Sequence, residues 1–370
     1  MTRPSERQRA VAERRQSTRP VVWVSTGAPG GMTTFVRMMG ETRLWTDWAV
    51  EYVETHRLGS AADRLWAFAR GLARFVRLLV VRRPALVHLH SGKMGSFARK
   101  SVLLWLAKAA RVPVVLHVHA GMFRVFYDRM PRVGRWYIRR SLAAADTVVA
   151  LGGAWSDRLR EIQPSARLIS VPNGIPIVGT GARAGDGDPV HVVYLGRMHP
   201  DKGTYVLLEA WARLVADSPH ARLTLAGNDE IERTRAEVAR LGLQESVTVR
   251  EWLSPAEVRE LLGTAHVLTL PSRNEGQPMS VLEAMARGMC VVATAVGGIP
   301  DLVEDGTSAL LVPPDDVDAL TKALWTAVSD ADTRHRLGDA ALARARAAFD
   351  VEVVRRRFDD LYRELTAPRR

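Results

Sequence analysis

The chain has 370 residues, 47% of them hydrophobic and 25% charged, which is more than one hydrophobic core normally supports and too apolar for a disordered polymer, so two globular domains are expected. Its single cysteine, Cys290, lies in the apolar run 289–292, which excludes a disulfide framework and a thiolate metal cluster and suits a reducing cytoplasm. The net charge of +12 leaves nucleic acid, anionic lipid and anionic substrates open, because sign alone does not choose among them.

In chain order, residues 1–20 carry Arg3, Arg7, Arg9, Arg14, Arg15 and Arg19 without an apolar h-region, and read as a disordered basic arm rather than a signal peptide. A strand over 21–24 runs into the turn Gly27-Ala28-Pro29-Gly30-Gly31, and helical periodicity follows from Thr33. Further apolar strands are predicted at 86–89, 114–118, 147–151 and 168–171, separated by helices such as 61–80 and 97–110. This alternation implies a parallel sheet covered by helices. Arg77, Arg82 and Arg83 interrupt the most apolar stretch, so no membrane crossing is expected.

A Gly-rich segment, 179–188, lacks periodicity and reads as a linker between an N-terminal domain, 21–178, and a C-terminal domain, 189–345. Strands then recur at 190–195, 222–226, 247–249, 267–270 and 291–293. The last stretch is helical, and residues 346–370 are expected to form a helix that crosses back to the N-terminal domain. The fold class is therefore α/β, with two doubly wound, Rossmann-like domains expected to face each other across a cleft, ligands collecting at the carboxyl ends of the strands.

The strongest chemical signal is Ser272-Arg273-Asn274-Glu275-Gly276-Gln277-Pro278-Met279-Ser280-Val281-Leu282-Glu283, directly after the strand ending at Leu270. Pro278 suits a first helical turn and Gly288 a left-handed stop, which predicts a helix over 278–287 whose N-terminal N–H groups face the loop. Glu275 and Glu283 are carboxylates able to accept sugar hydroxyl hydrogen bonds. A second turn, Gly196-Arg197-Met198-His199-Pro200-Asp201-Lys202-Gly203, places two cations after the first strand of the second half. Such cations stabilise the charge that develops on a departing diphosphate. Lys202 is one of five lysines, at 93, 100, 108, 202 and 322, in a chain that otherwise uses arginine.

The pattern E-G-x-x-M-x-x-L-E-A-M-A-x-G, followed by V-x-x-T-x-V-G-G-I-P-D-L-V, resembles retaining glycosyltransferase family 4, with the GT-B fold. The resemblance implies that Glu275 contacts the transferred sugar and Glu283 the nucleotide ribose, with Gly276, Gln277, Pro278, Met279 and Ser280 lining the donor. Where the common family form reads E-G-F-G, this chain has Gln277-Pro278. The resemblance further implies that Arg197 and Lys202 hold the diphosphate, that Gly30 and Gly31 lie near the donor phosphates, and that His119 lies beside the sugar in a positioning or polarising role. His117 is expected on the opposite face of the sheet from His119. His88, His90 and Ser91, with 93–100, are read as lining the acceptor side. Asn173-Gly174 resembles the family's domain-junction pair.

No His, Asp and Glu spacing matches a metal motif; Asp186-Gly187-Asp188 reads as linker, and neither a metal nor another cofactor is expected. The function implied is retaining transfer of a hexose from a UDP- or GDP-sugar to an acceptor hydroxyl. The stretch 88–100 is similar to bacterial transferases that extend lipid-linked polysaccharide precursors, implying a polyprenyl-linked acceptor in cell-envelope or exopolysaccharide synthesis. Basic, aromatic residues over 63–79, with a second arginine cluster over 124–140, suit peripheral contact with an anionic membrane on its cytoplasmic side. The alternatives are a soluble small-molecule acceptor, a nucleotide-sugar epimerase of the same fold, or a non-enzymatic basic protein binding membrane or nucleic acid; no nucleic-acid motif is evident.

Overall fold

The computed structural model describes residues 19–92, 94–119, 121 and 123–367, so most of the basic arm and Lys93 lie outside the described residues. The chain forms two units, Met1–Gly174 together with Val354–Arg370, and Ile175–Val353.

The first unit is built on a six-stranded sheet of β1 (Val21–Ser25), β2 (Glu51–Glu54), β3 (Leu86–Ser91), β4 (Val114–Val118), β5 (Thr147–Ala150) and β6 (Leu168–Ser170), in the order β2-β1-β3-β4-β5-β6. Every pairing is parallel. Parallel strands covered by helices on both faces read as unbroken apolar runs, and Val21-Val22-Trp23-Val24 is wholly buried for that reason. One face departs from this rule, because His88 and His90 of β3 and His117 of β4 project into it, all fully buried. The helix Val351–Thr366 packs over them. Trp23 Nε1 donates to Tyr362 Oη (2.9 Å), Trp48 Nε1 donates to Asp359 (2.9 Å), and Phe358 is buried against Trp23 and His88. The chain thus enters the second unit after Asn173-Gly174 and returns within this last helix.

The second unit carries β7 (His191–Leu195), β8 (Arg222–Ala226), β9 (Val247–Arg250), β10 (Val267–Leu270), β11 (Cys290–Thr294) and β12 (Leu310–Val312), in the order β12-β11-β10-β7-β8-β9. All are parallel. Strand succession runs one way from β7 through β8 to β9, then restarts on the other side of β7 with β10. The carboxyl ends of β7 and β10 therefore flank a topological switch point, where open α/β sheets bind ligands.

The run 179–188, expected as linker, is anchored to the second unit. Val178 N and Gly179 N donate to Ala286 O, Gly181 N donates to Arg287 O (2.7 Å), Ala184 is buried, and Arg334 donates to Ala184 O. Asp186 caps Ala331 N (3.0 Å) and Asp188 accepts from Gly185 N (2.9 Å), so both carboxylates serve turns. The predicted helix 278–287 is shorter, Met279–Met285, with Pro278 still extended (ψ 124°) at its start and Gly288 in the left-handed region (φ +65°) beyond its end. Among the described residues no helix is long and apolar enough to cross a membrane.

Candidate active site

Three loops meet at the switch point of the second unit. After β7 the chain makes a tight turn, Pro200–Lys202, capped by the His199 ring, whose Nδ1 accepts from Asp201 N (3.1 Å). Gly203 then takes φ +70°, and a Cβ there would lie 2.0 Å from Pro271 O, so only glycine lets this turn close against the end of β10. Arg273 N donates to Asp201 O (2.9 Å) across the same gap.

This closure brings Lys202 and Glu275, 73 positions apart, into contact. Lys202 Nζ donates to Glu275 Oε1 at 2.6 Å, and Ser272 Oγ donates to the same oxygen at 2.7 Å. Ser272 is in turn held by Thr294 of β11, whose hydroxyl donates to its carbonyl. The loop after β11 completes the support, since Gly298 N donates to Glu275 O (3.3 Å) and a Cβ on Gly297, at φ +58°, would fall 1.9 Å from that carbonyl. Glu275 is consequently buried, at 9% exposure. Its second oxygen remains for a hydroxyl donor, and an ammonium has three donors of which Glu275 takes one. The substitution Gly297→Ala should push the Glu275 loop out of place. Donor affinity is expected to fall at least about tenfold, as titration calorimetry with UDP would show; an unchanged affinity would mean that the loop has no part in binding.

Arg197 is more open. Its guanidinium pairs with Asp229 (3.2 Å), and its carbonyl accepts from Tyr194 Oη (2.6 Å), which fixes the backbone of that turn. Gln277, Pro278 and Met279 are buried, Gly276 and Ser280 half-buried, so the Gln277-Pro278 departure is accommodated inside the unit. Glu283 is half-buried on the helix Met279–Met285, and its carbonyl accepts from Arg287 (2.9 Å). Ser272, Thr294 and Gly297 carry the site without having been singled out for it, although all three stand in or beside the two quoted motifs.

In the first unit, Gly30 opens the helix Gly31–Gly40 at φ 151°, with no side chain capping the first turn. A Cβ on Gly30 would meet nothing within 4 Å, so the space beside this residue is open. His119 follows β4, half-buried, with its main-chain N–H on Ser91 O (2.8 Å) and its Nε2 3.0 Å from His90 Nδ1. Burial pushes its pKa down to about 3.

Two expectations are corrected here. His117 shares the face of His119, with ring centroids 3.9 Å apart, because residues two apart on a strand project to the same side. His88, His90, Ser91 and Lys100 do not line an open acceptor surface; all four are buried. Lys100 donates to Thr55 Oγ1 and to Ser25 O (3.4 Å), and burial with the nearby Arg99 pushes it down to about 7. Among the described residues, ring nitrogens of His88, His90 and His117 come within 4.8 Å of one another. The rings of His88 and His90 are nearly parallel (21°), as are those of His88 and His117 (22°).

The family profile described as "Glycosyltransferase Family 4" matches residues 30–178, and that described as "Glycosyl transferases group 1" matches residues 189–330. The chain belongs to glycosyltransferase family 4. It is 28% identical over 335 residues to a D-inositol 3-phosphate glycosyltransferase of Corynebacterium efficiens, covering 82% of this chain and 77% of that one. It is 24% identical over 305 residues to an alpha-D-kanosaminyltransferase of Streptomyces kanamyceticus, covering 76% and 78%. Among solved structures, a sucrose-phosphate synthase from Thermosynechococcus elongatus superposes with a TM-score of 0.76 at 22% identity over 94% and 99% of the two chains. Anabaena HepE in complex with UDP and glucose superposes at 0.73, with 18% identity over 93% and 99%. The two Rossmann-like units are thus those of the GT-B architecture. Membership makes this glycosyltransferase a transferase, and sets aside the epimerase and non-enzymatic alternatives.

Proposed function

We propose that this glycosyltransferase moves a hexose from a UDP- or GDP-sugar to an acceptor hydroxyl with retention at the anomeric carbon and without a metal. The observation that carries the proposal is the Lys202–Glu275 pair at the switch point of the second sheet, with Arg197 on the neighbouring turn. Lys202 and Arg197 neutralise charge on the departing diphosphate, the role a metal fills elsewhere. Glu275 accepts from hydroxyls of the transferred sugar, Glu283 from the ribose, and the backbone of Gly30 and Gly31 receives phosphate oxygens. The bond from C1 to the diphosphate oxygen breaks as the acceptor oxygen forms its bond on the same face, and the acceptor proton passes to the departing phosphate. UDP bound in HepE supports a uridine donor.

The acceptor is a lipid-linked saccharide at the cytoplasmic face of an anionic membrane. On the first unit the helix Ala61–Arg77 and its continuation expose Leu65, Trp66, Val80 and Val81 among Arg64, Arg70, Arg74, Arg77 and Arg82, and Val133 and Trp136 are exposed among Arg132, Arg135, Arg139 and Arg140. Apolar and basic side chains so mixed suit an anionic lipid surface. Names of relatives such as the 2-deoxystreptamine N-acetyl-D-glucosaminyltransferase of Streptomyces fradiae favour a second reading, a soluble acceptor. Sedimentation with phosphatidylglycerol vesicles separates the two. Binding that drops about tenfold in a Leu65→Ser, Trp66→Ser double variant is expected, and no binding by the wild type would favour the soluble acceptor. A panel of UDP-, GDP- and ADP-sugars, scored by nucleotide release and thermal stabilisation, tests the donor class, and a protein silent toward all of them would overturn the proposal.

A further inference from the structure

We propose that His90 is a positioning residue of the transfer reaction, fixing His119 in the Nδ1–H tautomer so that His119 meets the sugar as a neutral hydrogen-bond donor. The inference rests on the reading, implied by the family resemblance, that His119 lies beside the transferred sugar in a positioning or polarising role. His90 Nδ1 and His119 Nε2 are 3.0 Å apart, so one nitrogen donates and the other accepts. The direction follows from the far side of the His90 ring. His90 Nε2 is buried with no hydrogen-bond partner among the described residues. A buried N–H without an acceptor is rarer in folded proteins than an acceptor without a donor, so His90 carries its hydrogen on Nδ1. His119 Nε2 then accepts, and the single hydrogen of its neutral ring sits on Nδ1.

The packing leaves His90 little room to do otherwise. Its ring stacks on His88 (centroids 4.3 Å apart, 21° between planes), lies 4.5 Å from the Trp23 ring and 6.0 Å from Phe35, and is fully buried. The main chain of His119 is tied to the end of the same strand through Ser91 O. Burial that pushes His119 down to about 3 keeps the ring uncharged near neutrality, so it neither takes a proton from the acceptor nor supplies a cation. What remains is an oriented N–H.

The substitution His90→Phe keeps an aromatic ring and removes the donor, whereas His90→Asn returns an amide N–H near the Nδ1 position. Long-range 1H–15N NMR reads which His119 nitrogen bears hydrogen. The wild type is expected to show Nδ1–H, and His90→Phe a mixture dominated by Nε2–H. With UDP-glucose as donor, kcat should fall about tenfold in His90→Phe while KM changes less than about twofold, and His90→Asn should recover most of the loss. A wild-type His119 with hydrogen on Nε2, or a His90→Phe enzyme with native tautomer and kcat, overturns the proposal. The wild-type spectrum needs neither turnover nor a folded variant. An inactive protein with His119 as Nδ1–H would therefore sink the donor role, not the pairing.

Discussion

Lowering the pH from 7 to 5 should destabilise the first unit steeply, by about 4 kcal/mol per pH unit once the solution is well below 6.5. His88, His90 and His117 are fully buried, and burial, reinforced by the neighbouring histidines, holds each far below the ordinary 6.5. Below that value the unfolded chain binds protons that the folded chain refuses. Stability therefore rises with pH in this window, and is lost as pH falls from the unfolded pKa toward the depressed folded ones. Each such group contributes about 1.4 kcal/mol per pH unit. Three together would consume the about 5–15 kcal/mol typical of a domain within about one to four units. His119, lowered to about 3, is a fourth group of the same sign and steepens the slope beyond that of the three. Lys100, lowered from 10.5 to about 7, extends the trend upward: between those values the unfolded amine is charged and the folded one neutral, so stability keeps rising. Carboxylates with lowered values, such as Glu230 and Glu237, titrate below this window. Urea midpoints measured across the range check the slope, and His117→Phe should flatten it by about 1.4 kcal/mol per unit. A midpoint independent of pH between 7 and 5 would show that the histidines are hydrated in the folded chain.

Replacing Lys202 by alanine should reduce kcat for transfer by about 10²- to 10³-fold, the range seen when one preorganised group is removed from developing negative charge. Lys202→Arg should not restore it, because a planar guanidinium does not fit where a compact ammonium lies 2.6 Å from Glu275 between two closed turns. Lys202→Ala also leaves a buried carboxylate without its cation. Stability should drop by about 2 kcal/mol, less than the about 3–5 of a dry pair, since the Lys202 side chain keeps 19% exposure. Glu275→Gln should also lower kcat while sparing the fold, because an amide still accepts from Ser272 and Lys202. Steady-state kinetics alongside thermal scans separate the two effects; full activity in Lys202→Ala would remove the pair from the chemistry.

Most of the strands were legible because buried parallel strands are unbroken apolar runs, as in β4 and β10. The edges were not. Glu51-Tyr52-Val53-Glu54 has one fully buried position and a polar border, and Leu310–Val312 is three residues long, so both pair through backbone hydrogen bonds that composition does not announce. The Gly-rich run 179–188 signals local freedom, yet tertiary bonds to Ala286, Arg287 and Arg334 override it. The candidate site shows the same division. Motif spacing placed Arg197, Lys202, Glu275 and Glu283 near strand ends, because strand order puts loops there. It could not show that Lys202 and Glu275 touch, since that contact depends on β7 and β10 being neighbours across the reversal of the sheet. Nor could it show the histidine stack, which forms from two adjacent strands and a helix more than 230 residues later.

Retaining transfer at the Glu275–Lys202 site is tested most directly by following UDP-glucose, incubated with the protein and with water as surrogate acceptor, by time-resolved 1H NMR. The account predicts release of UDP together with α-glucose before mutarotation, and loss of that signal in Lys202→Ala. β-Glucose as the first product, or equal release by wild type and variant, would contradict it.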